Sequence, residues 1–313
     1  MTSTLPLRLT RLRKTPAVRA MLQETHLHTE QLIAPLFITA LHNTSQPIKS
    51  MPGHYQLPLS ALDDEIKMLV SLGIQSVLLF GIPSKKNAFG TQSLSKHGII
   101  QQAIRRIKTL APELLVIADV CLCEYTDHGH CGILDGDCID NDATLKTLAK
   151  QAVSFAEAGA DWIAPSSMTD GMVFAIRTAL DKKNYSRVAI LSYAPQFGDR
   201  KTYQMNPCNA NEALREAALD INEGADLLMV KPAMQYLDII HRIKIRFPDV
   251  PLCAYQVSGE YAMLKAAGAA GIIDEKQAMI ESLVAIKRAG ADLIITYFAK
   301  DIASALKNMH PLY

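Results

Sequence analysis

The chain has 313 residues, 49% hydrophobic and 20% charged, with a formal net charge of +1. That composition suits a globular protein with a large core, and the near-zero charge gives no global field to recruit nucleic acid or an acidic membrane. Six cysteines, with no secretory segment and no membrane-length apolar run, point to a reducing cytoplasm and make a disulfide framework unexpected.

Residues 1–30 are polar and basic, with Arg8, Arg11, Arg13, Lys14 and Arg19. They read as an N-terminal arm, either solvated surface or a wrap around a neighbouring subunit. From Leu32 short apolar runs alternate with longer amphipathic ones. Strands are predicted over Leu32–Ile38, Gln75–Gly81, Leu114–Leu122, Ala160–Ser166, Arg187–Ala194, Ala225–Pro232, Pro251–Ser258 and Ala291–Phe298. Helices are predicted over Ser60–Leu72, Ser93–Leu110, Thr144–Ala158, Gly171–Leu180, Asn211–Asn222, Met234–Phe247 and Lys276–Ala289. Strands apolar on both faces and alternating with helices indicate a parallel sheet. Glu157-Ala-Gly-Ala-Asp161, Asn222-Glu-Gly-Ala-Asp226 and Arg288-Ala-Gly-Ala-Asp292 each precede a strand. Each glycine can end its helix in a left-handed cap, and the aspartate then turns the chain into the strand. Eight strands in this length predict a (β/α)8 TIM barrel, with residues 31–313 as its single domain. A doubly wound open sheet is the rival, but no glycine-rich phosphate fingerprint follows the first strand.

In such a barrel, chemistry sits at the carboxyl ends of the strands. The third predicted strand runs into Asp119-Val-Cys-Leu-Cys-Glu-Tyr-Thr-Asp-His-Gly-His-Cys131. Cys121, Cys123 and Cys131 offer three soft ligands, the number a catalytic zinc site takes while keeping a position open. Gly129 and Gly132 would let the loop fold back so that Cys131 meets the first pair. Reduced cysteines with no metal remain compatible with the spacing alone. The fourth strand ends at Ser166, the sixth at Lys231, the seventh at Ser258 and the eighth at Tyr297. A lysine following the buried run Leu227-Leu-Met-Val230 is partly desolvated, which disfavours its ammonium form and suits it to attack a ketone as a Schiff-base nucleophile. A lysine paired with a carboxylate at the barrel mouth fits the position equally well.

Further segments carry a resemblance: Arg11-Leu-Arg-Lys-Thr-Pro16, Asp140-Asn-Asp-Ala-Thr144, Gly198-Asp-Arg-Lys-Thr-Tyr-Gln-Met205, Met229-Val-Lys-Pro232 and Tyr255-Gln-Val-Ser-Gly-Glu-Tyr-Ala-Met263. With the thiol loop and Ala289-Gly-Ala-Asp292 they span nearly the whole chain, which resembles the porphobilinogen synthase (5-aminolevulinate dehydratase) family. The resemblance implies a barrel with an arm, assembled as an octamer from arm-hugging dimers. It also implies condensation of two 5-aminolevulinate molecules to porphobilinogen in tetrapyrrole (heme) biosynthesis. By resemblance Lys231 is the Schiff-base lysine, and Ser258 and Tyr297 bind that substrate's carboxylate. Arg200 and Gln204 bind the carboxylate of the second substrate, and Asp119 and Ser166 are polar pocket residues. Cys121, Cys123 and Cys131 match the zinc-dependent branch, and Glu216 matches a position that holds an allosteric magnesium ion in some members.

One departure stands out. In the family, the strand ending in serine-tyrosine continues into a lid that carries a second Schiff-base lysine, an aromatic patch and a second carboxylate-binding arginine. Here Ala194 runs directly into Pro195 and the family pattern resumes at once. Either the lid is genuinely deleted, which should abolish or change the double condensation, or the intact protein carries a mobile lid that this sequence lacks. The second account is the expectation, because active-site lids come from the low-stability end of a fold. A smaller departure is Ser167, where many members have an acidic residue.

Overall fold

The computed structural model describes residues 7–197 and 203–308. Eight parallel strands form the barrel: β1 (Leu32–Thr39), β2 (Ser76–Ile82), β3 (Leu115–Val120), β4 (Trp162–Pro165), β5 (Ala189–Ser192), β6 (Leu227–Val230), β7 (Leu252–Gln256) and β8 (Leu293–Thr296). They pair in chain order, and β1 closes on β8 through Leu32 opposite Ile294 and Ile33 opposite Ile295. The outer helices are α1 (Leu59–Ser71), α2 (Ile99–Leu110), α3 (Asn141–Ala158), α4 (Met172–Lys182), α5 (Ala210–Glu223), α6 (Leu237–Arg246), α7 (Glu275–Ala289) and α8 (Ala299–Asn308). Leu227, Leu228, Met229 and Val230 are all buried, as a strand covered on both faces requires.

The predicted elements are all present, but most predicted strands are too long at one or both ends. Arg187–Ala194, for example, shrinks to Ala189–Ser192. Apolar character extends beyond the ladder, because residues flanking a strand are buried by the helices without being paired.

The Gly-Ala-Asp repeats explain how the units lock together. Gly159, Gly224 and Gly290 end α3, α5 and α7 with φ of +106°, +105° and +123°, a region in which a Cβ is strained. The aspartates do more than turn the chain. The backbone amide of Val116 donates to Asp161, that of Ile190 to Asp226 and that of Leu252 to Asp292, each at 2.8 Å. Each carboxylate therefore satisfies a donor on the preceding strand, which would otherwise be left unpaired near the barrel floor. Lys108 and Lys244 reach the outer faces of Asp161 and Asp292 from α2 and α6, both at 2.9 Å.

Three features have no clear periodic signal. A short hairpin pairs Gln46–Pro47 with Tyr55–Leu57 and lies against the carboxyl end of β1. A second pairs Leu134–Asp135 with Cys138–Ile139 beyond the thiol loop. An additional helix, Ser258–Ala269, precedes α7. Before β1 the chain forms a 3-10 turn, Leu9–Arg13, and a helix, Pro16–Met21, whose Thr15 cap accepts the Val18 amide. Leu7, Leu9, Leu12, Met21 and Leu22 are exposed there. Among the described residues no helix is long and apolar enough to cross a membrane.

Candidate active site

Because the strands are parallel, their carboxyl ends share one mouth. β3 delivers Asp119 and then the thiol loop. Gly129, at φ +73°, turns that loop back, as its residue type suggests. Gly132 acts differently: a Cβ there would lie 2.6 Å from Thr144 Oγ1 and 2.7 Å from Ile139 Cγ2, so its role is close packing against α3. The three sulfurs converge. Cys121 Sγ lies 3.3 Å from Cys123 Sγ, and the ligand atoms of Cys121, Cys123 and Cys131 all fall within 4.8 Å of one another. The side-chain amide of Gln151 on α3 fixes the Cys121 carbonyl at 3.1 Å.

This donor set fits a divalent soft-to-borderline cation. All three cysteines are free thiols. Contact with Cys123 and Cys131, followed by burial, pushes the Cys121 thiol well above its ordinary value. Crowded thiols of this kind are poor acids until a cation neutralises the repulsion between their thiolates. Zinc binds such sulfurs at about 2.3 Å, so three donors this close need little rearrangement to share one ion.

Asp119 is near enough to both the Cys131 thiol and Lys231 to feel their charge. Burial raises its carboxyl to about 7, against the opposing influence of Tyr193 and Lys231, while Cys131 adds to the rise. Ser166, just past β4, donates to Asp119 Oδ2 at 3.1 Å. Asp119 Oδ1 and the Tyr193 hydroxyl are both buried and neither completes a hydrogen bond. The two groups are close enough to influence each other's titration.

Lys231 follows β6 and is half-buried, with Nζ 5.6 Å from the centre of the Tyr193 ring. Its main chain is held on the β5 side. The Lys231 amide donates to the Pro195 carbonyl at 3.3 Å, and the Phe197 amide donates to the Lys231 carbonyl at 3.0 Å. Phe197 stacks on Tyr236 with ring centres 4.0 Å apart. After Tyr193, therefore, the chain rejoins β6 as a continuation of β5.

Tyr297 follows β8 and belongs to an aromatic layer across the other half of the mouth. Its ring lies 6.0 Å from Phe37, Phe37 lies 5.5 Å from Phe80, and Phe80 lies 6.4 Å from Tyr255. The Tyr297 and Tyr255 hydroxyls are 2.7 Å apart. His54, from the first hairpin, donates to the Tyr297 carbonyl at 2.9 Å. Burial, with Lys300 nearby, lowers His54 to about 4, so it is neutral at physiological pH.

Of the residues expected at the site, Asp119, Ser166, Lys231, Tyr297 and the three cysteines are thus at one end of the barrel. Ser258 is exposed at the same end, as the first residue of its helix. Gln204 lies between Tyr203, whose ring is 6.4 Å from His130 of the thiol loop, and Met205, which pairs with Phe197. Arg200 falls outside the described residues. Glu216 lies apart, half-buried on α5, its carboxyl raised by burial and by Asp170, Glu212 and Glu223. Among the described residues only the three thiols form a converged set of potential metal ligands.

Sequence reasoning missed Tyr193, Tyr255, Glu124 and His54. Tyr193 directly follows Ser192 at the tip of β5, so the strand-end filter could have found it. Glu124, which accepts the Gly81 amide at 2.8 Å and is pushed well up by burial and by Asp119, carried only the weak signal of one carboxylate among the polar residues of the thiol loop. Tyr255 and His54 carried none.

Comparison with known proteins gives the family. The family model for delta-aminolevulinic acid dehydratase matches residues 7–197 and 194–305, two stretches that meet over Ala194–Phe197. The delta-aminolevulinic acid dehydratase of Halalkalibacterium halodurans is 52% identical over 311 residues, covering 94% of each chain. That of Bacillus subtilis is 51% identical over 314 residues, covering 95% of this chain and 97% of its own. In the first alignment, 94% of 313 residues is about 294, so about 17 of the 311 aligned positions have no residue here. The crystal structure of the Toxoplasma gondii enzyme in complex with the reaction product porphobilinogen superposes with a TM-score of 0.94 at 39% identity, covering 99% of this chain and 96% of its own. The chain belongs to the delta-aminolevulinic acid dehydratase family.

Proposed function

We propose that this protein is a porphobilinogen synthase, a lyase that condenses two 5-aminolevulinate molecules with loss of two waters. One observation carries the reading beyond family membership: the three thiols converge on one another, and the Asp119 carboxyl beside them is within electrostatic reach of both Cys131 and Lys231.

The side chains suggest a division of labour. Lys231 Nζ, in its neutral form, adds to the ketone carbon of one substrate; a carbon–nitrogen double bond forms and the ketone oxygen leaves as water. The resulting iminium acidifies the neighbouring carbon, and Asp119 Oδ1, buried without a partner, is placed to take the released proton. Ser166 keeps the Asp119 carboxyl oriented. Tyr297 and Ser258 hold the carboxylate of this substrate, while Arg200 and Gln204 hold that of the second. Two anchors of different geometry allow two identical molecules to enter in different poses. Zinc, held by Cys121, Cys123 and Cys131, would supply Lewis acidity toward the second substrate's amine or carbonyl.

The same reading makes residues 1–30 an arm that packs on a neighbouring subunit of a homo-octamer, Glu216 part of an allosteric magnesium site, and the cytoplasm the compartment. No nucleic acid or membrane enters it. The test is incubation with 5-aminolevulinate and zinc followed by a colorimetric pyrrole assay; absence of pyrrole from intact, zinc-loaded protein would sink it.

The break in the family match over Ala194–Phe197 favours a second reading: a lidless relative that keeps Lys231 but works as a Schiff-base aldolase, or a barrel that keeps zinc without catalysis. Borohydride trapping of substrate without pyrrole formation would identify the aldolase. Zinc binding with neither would identify the last.

A further inference from the structure

Glu260 is the most fully engaged buried carboxylate that this mechanism leaves unused. It is 2% exposed and, among the described residues, makes no ion pair. Its acceptor capacity goes to backbone amides on two different segments. Val257 donates to Oε2 at 2.9 Å, which is one half of a capping box at the start of the Ser258–Ala269 helix. Val257 has no side-chain acceptor to supply the other half. The remaining bonds cross to the loop after Lys231: Ala233 donates to Oε2 at 3.3 Å and Met234 to Oε1 at 2.6 Å. One carboxylate thus ties the turn that presents Ser258 to the turn that presents Lys231.

A second buried side chain continues the tie to β8. Gln256, fully buried, accepts from the Thr296 hydroxyl at 2.7 Å, and Thr296 in turn accepts the Phe298 amide at 3.0 Å, bracketing Tyr297. The Gln256 amide nitrogen lies 3.0 Å from Ser282 Oγ and 3.4 Å from the sulfur of Met234. The tips of β6, β7 and β8 are therefore joined by polar bonds in a water-poor interior, where such bonds are strong and their loss is costly.

We propose that Glu260 is a positioning residue that sets the register of Lys231 against Ser258, with Gln256 extending the same brace to Tyr297. The inference rests on the reading of Lys231 as the Schiff-base amine. A carboxylate can accept from amides on both sides at once, whereas an amide presents an NH2 to one of them. Glu260→Gln therefore keeps the volume but removes one accepting oxygen, losing either the Met234 bond or the bonds from Val257 and Ala233.

The test is stopped-flow or quench borohydride trapping of 5-aminolevulinate on wild type, E260Q, Q256M and the control I286V, which trims a buried side chain on α7. In folded E260Q, trapping at saturating substrate should slow by ~10–100-fold, the range expected for misplaced reacting groups. I286V should lower the melting temperature without changing trapping. Q256M should mainly raise the substrate concentration needed for half-maximal trapping, because Tyr297 holds the carboxylate. If E260Q does not fold, Q256M decides alone, and a wild-type concentration dependence for it overturns the brace. Wild-type trapping by folded E260Q overturns the role of Glu260 while leaving Lys231 intact. No trapping by the wild type overturns the Schiff-base reading and this inference with it.

Discussion

Asp220 offers a quantitative test of the electrostatics beneath the site. It is 7% exposed on α5 and accepts the Ser192 hydroxyl at 2.5 Å, tying the outer helix to β5 just before the shortened segment. Burial, with Glu223 and Glu216 nearby, raises its carboxyl to about 7, whereas an unfolded aspartate titrates near ~3.9. The folded state therefore binds the proton more tightly. The stability that Asp220 contributes is full below the unfolded value and is lost as pH rises through about 7. At ~1.4 kcal/mol per pH unit, the loss between pH 5.5 and pH 8 is ~2 kcal/mol. Asp220→Asn keeps an acceptor for Ser192 and removes the titration. Urea unfolding of both proteins at the two pH values should show wild type losing ~2 kcal/mol more than the variant. Equal pH dependence would refute the burial argument. Adding magnesium extends the test: binding at the Glu216 cluster would lower the Asp220 carboxyl and shrink the difference.

Lys231→Met should eliminate borohydride trapping of 5-aminolevulinate; a labelled peptide elsewhere in the digest would reassign the amine. Cys123→Ser should weaken zinc at least ~10-fold in competition with a chromogenic chelator, and an unchanged affinity would place the metal off the thiol loop. Asp292→Ala leaves the buried Leu252 amide without its acceptor and should destabilise by ~1–3 kcal/mol in urea. Most of that comes from the amide, because the half-exposed pair with Lys244 adds little. A loss under ~0.5 kcal/mol would mean that water replaces the carboxylate.

The barrel was legible because its strands are apolar on both faces and three of its helices, α3, α5 and α7, end on a glycine at positive φ. The site was legible where chemistry sits at strand ends: Ser166, Lys231 and Tyr297 each follow the last paired residue of a strand. Contacts between side chains far apart in sequence were not legible. Nothing near Asp161 indicates that it will bind the Val116 amide, and nothing near Tyr255 indicates that it will meet Tyr297, since both depend on barrel closure. Glu260 stood at capping-box spacing from Val257, but its bonds to the Lys231 loop come from a neighbouring strand. The junction at Ala194 was visible as an interruption of the family pattern. The family match breaks there too, while the chain itself continues β5 beside Lys231.

The most direct measurement combines mass and turnover on one sample. The intact protein is weighed against the 34.3 kDa of this sequence, loaded with zinc, given 5-aminolevulinate and assayed for pyrrole, alongside a chelated sample and Lys231→Met. Pyrrole from the loaded wild type, lost in both controls, is the result predicted for an amine and a thiolate-held ion working in one cavity. A heavier mass would show that the intact protein carries the lid. Folded, intact, zinc-loaded protein that makes no pyrrole would contradict the account.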